Sequence, residues 1–298
     1  MFVYPYILIS TLLPVIFFLL LLRNKNFFTY NWFVWFIAFL LCFIFIYQAG
    51  AWPYIGYAVR YILALLFAVI YFFFYRKYKK YKGRKKNSAI AGIIATVFCS
   101  VFAFANYEII RSTHSDLKGI ELSFPLAEGT YAIQQGGNSK LTNAAHRSRI
   151  EYSFAYDIIK LNDKGMRGSK IFSKEIKDYA IYGDTVVSPC DCKVVSVRNS
   201  IEENIPPYMN ETDRGGNYVI LQKDDVRIIL CHMQKNSVRV KEGQKLKTGT
   251  PLGLVGNTGF SIEPHLHMQA YKKSIRGRDQ VPIRFNGKIL KLNDVVNN

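Results

Sequence analysis

Acidic residues are almost missing from the first third of the chain: residues 1–112 contain one, Glu108, against 12 Lys and Arg. The same stretch has no His. A proton or ion path through an apolar segment needs titratable side chains inside it, so these absences exclude the usual transport machinery. Cysteine is scarce as well. Five Cys scattered over 298 residues are too few for a disulfide framework. Cys42 and Cys99 fall in apolar runs and read as packing residues, and Cys231 as a small buried hydrophobe. Histidine is equally rare, at five.

What is present divides in two. The chain carries a formal charge of +18 and is half hydrophobic, but the averages conceal unlike halves. Residues 1–112 are mostly Phe, Ile, Leu, Val, Trp and Tyr, whereas residues 113–298 hold the other 27 basic residues and 20 acidic ones. The second part is long enough for its own core.

A spanning helix needs about 20 mostly apolar residues. Four stretches qualify: 3–22, 31–48, 57–75 and 88–106. The first also has the length of a signal peptide, but it lacks a basic start and a small-residue cleavage site, and other spans follow. Arg23 and Lys25 follow the first span and the basic run 76–86 follows the third, while 49–56 has no charge. Both basic loops then lie in the cytoplasm, and the amino terminus and everything after the fourth span lie outside. The expected architecture is therefore about four transmembrane helices (1–106), a linker (107–120) and a separate C-terminal domain (121–298) at the cell membrane. The run 76–86 reads as topology-setting charge, with anionic lipid headgroups as the sharper alternative. Four spans exceed what tethering needs, which leaves room for a membrane partner protein beside the lipid bilayer. No nucleic acid is expected among the partners.

After the linker come short β-rich runs punctuated by Gly, Asn, Asp and Pro: YAIQQ, EYSFAYDII, DTVVSP, KVVSVR, NYVILQ, VRIILCHM, PLGLVG and LHMQAY. Their spacing predicts an all-β domain of antiparallel sheets. On a strand, His265 and His267 point to one face, about 7 Å apart. In EYSFAYDII, Asp157 shares a face with Ser153 and Ala155, opposite Tyr152, Phe154, Tyr156 and Ile158. His232 stands where the apolar strand VRIIL ends. His146 lies upstream, and His114 falls in the linker as a solvated residue. Two His and one carboxylate with a free fourth position make a known catalytic zinc arrangement. The plainer alternative is a set of histidines satisfied by hydrogen bonds.

The order of His146, Asp157, His232 and NTGFSIEPHLH (257–267), with VVSPCDCKVVSV, GGNYVILQ and VKEGQKLKTGTPLGLVGNTG, resembles the lysostaphin/LytM-type zinc endopeptidases, the family-23 metallopeptidases, over about residues 123–285. The resemblance implies a LytM-type (duplicated hybrid motif) β-fold and Zn2+ held by His146, Asp157 and His267. It also implies catalytic imidazoles at His232 and His265, and peptidoglycan peptides as substrate. A domain charge of +7, from 27 basic and 20 acidic residues, suits an anionic wall. The alternatives for this chain are a non-catalytic wall- or partner-binding scaffold using the same fold, and an endopeptidase aimed at a protein or bacteriocin-like peptide. Two features depart from the family: ten residues separate His146 from Asp157 where three are commonest, and a Cys190-Asp191-Cys192 turn replaces a small Gly-bearing one. Two reduced thiols are expected there, with a strained disulfide or metal-reactive pair as the alternative. The polar loop 199–215 reads as a surface excursion, with a mobile lid as the alternative.

Overall fold

The computed structural model describes residues 32–81, 89–148, 150–275 and 277–298. The chain divides into two compact units, one ending at Ile110 and the other beginning at Arg111.

The first unit is helical: α1 (Trp32–Ala49), the single turn α2 (Trp52–Ile55), α3 (Ala58–Tyr81) and α4 (Ala89–Arg111). Among the described residues, α4 is the one helix long and apolar enough to cross a membrane by length and composition. Phe33–Ala49 and Ala58–Phe73 are shorter apolar helical stretches, and the expected span 3–22 lies outside the described residues. Helix α3 continues into the basic run as far as Tyr81, and α4 runs through 107–111, which had been assigned to a linker. Pro53 occupies the first turn of α2, where its missing N–H costs nothing. Inside the unit, Asn106 accepts from Gln48 at 2.8 Å and donates to the Leu41 carbonyl at 2.9 Å.

The second unit is β-rich. Its strands are β1 (Ile120–Glu121), β2 (Thr130–Gln135), β3 (Tyr156–Lys160), β4 (Thr185–Val187), β5 (Cys192–Arg198), β6 (Asn217–Lys223), β7 (Val226–Met233), β8 (Lys245–Leu246), β9 (Pro251–Leu254), β10 (Leu266–Ser274), β11 (Gly277–Val281), β12 (Ile283–Arg284) and β13 (Val295–Asn297). The main sheet is antiparallel in the order β13-β2-β3-β10-β7-β6-β5-β8, with β11 also paired to β10; β4–β9 and β1–β12 form two small sheets. The strands β1, β8, β11, β12 and β13 were not foreseen. Most are too short to show a period, and β11 is largely polar.

Alternation decides which face is dry. Ile133, Tyr156, Ile158, Leu230, Leu266 and Met268 are fully or almost fully buried in one cluster with Val219, Leu221 and Ile228. One expectation about a strand changes. Residues 150–152 form a 3-10 turn and β3 begins only at Tyr156. The alternation therefore holds for Tyr156, Asp157 and Ile158 and not for 152–155. The Ala155 N–H bonds the Tyr152 carbonyl within the turn, so no sheet partner takes it there.

Candidate metal and catalytic centre

The site begins with strand register. β10 lies between β3 and β7, and His267 faces Asp157 on one neighbour and Cys231 on the other. Directly opposed residues in antiparallel strands have Cβ atoms about 4.5–5.5 Å apart, so Asp157 and His267 meet by topology alone. His267 Nδ1 is 3.0 Å from Asp157 Oδ1.

His232 arrives by a bulge. The β6–β7 register jumps from Tyr218↔Cys231 to Asn217↔Met233, which leaves His232 unpaired. Its φ of +63° lies in the left-handed region that non-glycine residues seldom enter. The extra residue re-aims the side chain toward the site, and the strain is held by neighbours: His232 N–H donates to Gly215 and its carbonyl accepts from Gly256. The His232 ring centroid comes to 4.8 Å from His265 and 5.7 Å from His267. His146 is supplied by the one-turn helix α5 (Ala144–Arg147), with Nε2 3.4 Å from Asp157 Oδ1 and its ring centroid 4.9 Å from His267. His265, just before β10, places Nε2 at 3.4 Å from the same oxygen. All five expected residues thus converge, despite the long His146–Asp157 spacing. His146, Asp157, His265 and His267 keep only 10, 13, 11 and 10% of their side-chain surface exposed, which makes the site nearly dry.

The nitrogens facing away from the centre determine what the inner ones can do. Asn143, fully buried, donates its amide to the Gly137 and Ala155 carbonyls, so its Oδ1 is an acceptor, and His146 Nδ1–H donates to it at 2.8 Å. His232 Nδ1–H donates to the Thr258 carbonyl at 2.7 Å and His265 Nδ1–H to the Glu263 carbonyl at 2.8 Å. Backbone carbonyls only accept, so these tautomers are fixed. Each of the three imidazoles turns its Nε2 inward, bare whenever the ring is neutral. His267 is reversed: a proton on Nε2, donated to Gln269 Oε1 at 3.1 Å, leaves Nδ1 as the inner atom.

Charge follows geometry. Burial works to raise the Asp157 carboxyl, but His146 and His265 outweigh it and hold the group well below the usual carboxylate range. Burial, then the neighbouring charges of His265 and His267, push His232 well below the ordinary imidazole value. Burial pulls His265 down as well, yet the Asp157 carboxylate beside it more than compensates and raises it. His267 is lowered, burial being the largest cause.

The donor atoms of His146, Asp157 and His267 all lie within 4.8 Å of one another. Ligand atoms around a tetrahedral zinc with bonds of about 2.0–2.2 Å sit roughly 3.3–3.6 Å apart, and the His146–Asp157 and His267–Asp157 pairs, at 3.4 and 3.0 Å, lie close to that spacing. The outer hydrogen bonds that His146 and His267 donate to Asn143 and Gln269 are the kind that orient metal-binding imidazoles.

Segment 256–263 carries both carbonyls that hold His232 and His265. Thr258 Oγ1 accepts from Asn217 N–H and donates to the Met233 carbonyl, both at 2.9 Å. The segment crosses 213–216 so closely that a Cβ on Gly259 (φ +76°) would stand 2.3 Å from the Gly216 nitrogen, which accounts for the glycine after Asn257-Thr258. At one end Glu203 accepts from the Lys235 and Asn257 N–H groups at 2.8 and 2.6 Å. Asn204 donates to the Gly259 and Ser261 carbonyls. Through Glu203 and Asn204 the loop 199–215 is therefore stitched to segment 256–263 and is no free lid there. Sequence reading missed Asn143, Gln269, Thr258, Glu203 and Glu263. For Gln269 the signal was available, two residues past His267 on the same face; the others act through side chains or carbonyls whose partners only the fold defines. Cys190 and Cys192 are free thiols, as is Cys231. They belong to the β4–β5 turn, where Cys192 Sγ donates to the Cys190 carbonyl and contacts Ser188 Oγ, both at 3.2 Å.

Comparison with known proteins places residues 174–281 in a match to Peptidase family M23. That match includes His232, His265 and His267, while His146 and Asp157 precede it. The chain is 35% identical over 102 residues to the peptidoglycan DD-endopeptidase ShyA of Vibrio cholerae, covering 34% of this chain and 20% of that protein. With the peptidoglycan DD-endopeptidase ShyB of the same organism it shares 29% identity over 168 residues, 55% of this chain and 36% of the relative. The chain thus spans between a fifth and about a third of the length of these relatives. Among solved structures, the catalytic domain of lysostaphin from Staphylococcus simulans aligns over 52% of this chain and 88% of its own, at 20% identity and a TM-score of 0.28. A zinc-containing peptidase from Vibrio cholerae aligns over 58% and 39%, at 18% identity and a TM-score of 0.33.

Proposed function

We propose that this chain is a membrane-anchored zinc endopeptidase that hydrolyses peptide bonds in bacterial peptidoglycan. The observation that carries the reading is the set of four imidazoles whose outer nitrogens are all engaged, so that four inner ring nitrogens converge around one carboxylate. The relatives named as peptidoglycan DD-endopeptidases support the substrate class.

His146 Nε2, Asp157 and His267 Nδ1 would hold the zinc. When bound, the ion supplies Lewis acidity toward a water molecule and a peptide carbonyl. The chain's own contribution is to place and move protons. His232, kept neutral by burial, presents Nε2 to orient an attacking water and accept its proton. His265, favoured in its charged form by Asp157, presents Nε2–H to a developing oxyanion or to the leaving amine. The buried walls exclude bulk water, which strengthens these interactions. The first unit serves as the anchor: α4 and its neighbouring apolar helices sit in the bilayer, the basic run from Arg76 faces the cytoplasm, and the β-rich unit works outside.

The test is digestion of purified cell walls by the full-length protein in detergent with zinc, products being resolved by mass spectrometry. Released peptide-linked fragments, lost in Asp157→Ala, are expected. Wall binding without cleavage, under conditions where a known endopeptidase works, would assign a scaffold role instead and overturn the proposal.

A further inference from the structure

Behind His265 lies a buried ion pair that the reaction itself does not call for. Arg167, in the loop between β3 and β4, is 2% exposed and Glu263 is 7% exposed. Arg167 Nη1 stands 2.9 Å from Glu263 Oε2, its Nη2 donates to the Ile171 carbonyl at 2.8 Å, and its guanidinium lies over the Tyr179 ring at 5.0 Å. The other carboxylate oxygen accepts from Gln134 Nε2, on β2, at 2.8 Å. The side chain of Glu263 is thus gripped from two elements.

Its backbone does something different. The Glu263 carbonyl accepts from His265 Nδ1 at 2.8 Å and from Ser261 Oγ at 2.8 Å. Between Glu263 and His265 stands Pro264, which fixes its own φ and restricts the residue before it to extended conformations. With those torsions removed, a shift of the Glu263 side chain carries over to the carbonyl that holds the imidazole. A buried ion pair adds little net stability over an apolar pair of similar volume, so stability alone gives no reason for charges at this place.

We infer that Arg167 and Glu263 are positioning residues: their ion pair, braced by Gln134, fixes the carbonyl that aims His265 Nε2 into the site. The inference rests on reading His265 as a catalytic imidazole. Misplacement of a catalytic group by about 1 Å costs on the order of a hundredfold in rate, so loosening the clamp acts on turnover and leaves substrate binding alone.

The test uses the full-length, zinc-loaded protein and the double variant Arg167→Met with Glu263→Leu, which leaves no orphan charge. Three quantities are compared with wild type: zinc content, the kcat and KM for a cross-linked wall peptide, and diethyl pyrocarbonate labelling at His265 and His232, located by mass spectrometry. With zinc content and His232 labelling unchanged, kcat is expected to fall about tenfold or more, KM to stay within about twofold, and the His265 labelling rate to change about threefold. A merely structural pair would lower the melting temperature and leave kcat and His265 labelling at wild-type values well below it. Either quantity remaining at its wild-type value overturns the inference. Should the wild type cleave no wall peptide, the proposed function fails by that result, and the His265 labelling ratio still decides the clamp. If the double variant does not fold, Glu263→Gln in the presence of Arg167 provides the same labelling and kcat comparison, read by the same criteria.

Discussion

The two units use the same apolar side chains in opposite ways. In the helical unit, Leu65, Ile93 and Phe104 are 67, 64 and 65% exposed, and the outward faces of α3 and α4 are lined with similar residues. In the β-rich unit, Ile158, Leu230 and Leu266 are fully buried, and buried polar side chains such as Asn143, Asn217 and Ser261 have hydrogen-bond partners. Under the proposed anchoring role of the helical unit the contrast is one of solvent: a sheet in water hides one face, whereas helices in lipid gain nothing by hiding theirs. The difference also lies in the polar groups each unit buries. The helical unit buries Asn106 within a helix pair, and the β-rich unit buries a whole acid–imidazole centre.

Core truncation is the sharpest way to break the contrast. Ile158→Ala is expected to destabilise the β-rich unit by about 2–5 kcal/mol, while Leu65→Ala shifts stability by about 0.5 kcal/mol or less, as read by denaturant titration of the full chain in detergent. Equal effects would erase the distinction. Next comes Glu203→Gln, which presents an amide N–H to one of two backbone donors; a loss of about 1–3 kcal/mol is expected. Burial raises the Glu203 carboxyl above its ordinary value. Its folded pKa therefore lies above the unfolded one, and the linked stability is present below the unfolded value and lost as pH rises through the folded one. The wild type should accordingly gain on the Gln variant as pH is lowered through that window. Smaller still, Asn106→Ala in the helical unit should cost about 1 kcal/mol, the range of a polar helix–helix contact in lipid, seen as a reduced melting temperature of that unit.

The weakest effect is one of reactivity. Hydrogen bonding from Cys190, ahead of opposing burial, brings the Cys192 thiol down to about 7, whereas burial pushes Cys231 up to about 12. Iodoacetamide labelling followed by mass spectrometry should show Cys192 alkylation climbing as pH passes about 7, with Cys231 inert throughout. Equal labelling of the two would contradict the environments described.

Much of this could be read from residue order, because register is a local matter. The alternation around Asp157 and the His265–His267 pair put side chains on one face, and the antiparallel pairing of β3 with β10 then brought Asp157 opposite His267. Hidden from the sequence were features created by crossings. The left-handed His232 depends on a two-against-one bulge between β6 and β7, and no periodicity announces an unpaired residue. The turn at 150–152 imitates a strand because Tyr152 and Phe154 happen to continue the alternation, although the Tyr152 carbonyl is taken locally by the Ala155 N–H. Asn143, Thr258 and Glu263 matter through the acceptors they offer to imidazoles, and only the closed fold shows which imidazole each one meets.

Metal stoichiometry tests the centre most directly. Full-length protein, its Asp157→Ala and His267→Ala variants and its His265→Ala variant would be loaded with zinc, dialysed and measured by mass spectrometry. One zinc per chain is expected in the wild type and in His265→Ala, and none in the other two. Zinc retained at full occupancy without Asp157 or His267, or absent from a folded wild type, would contradict the shared site at 146, 157 and 267.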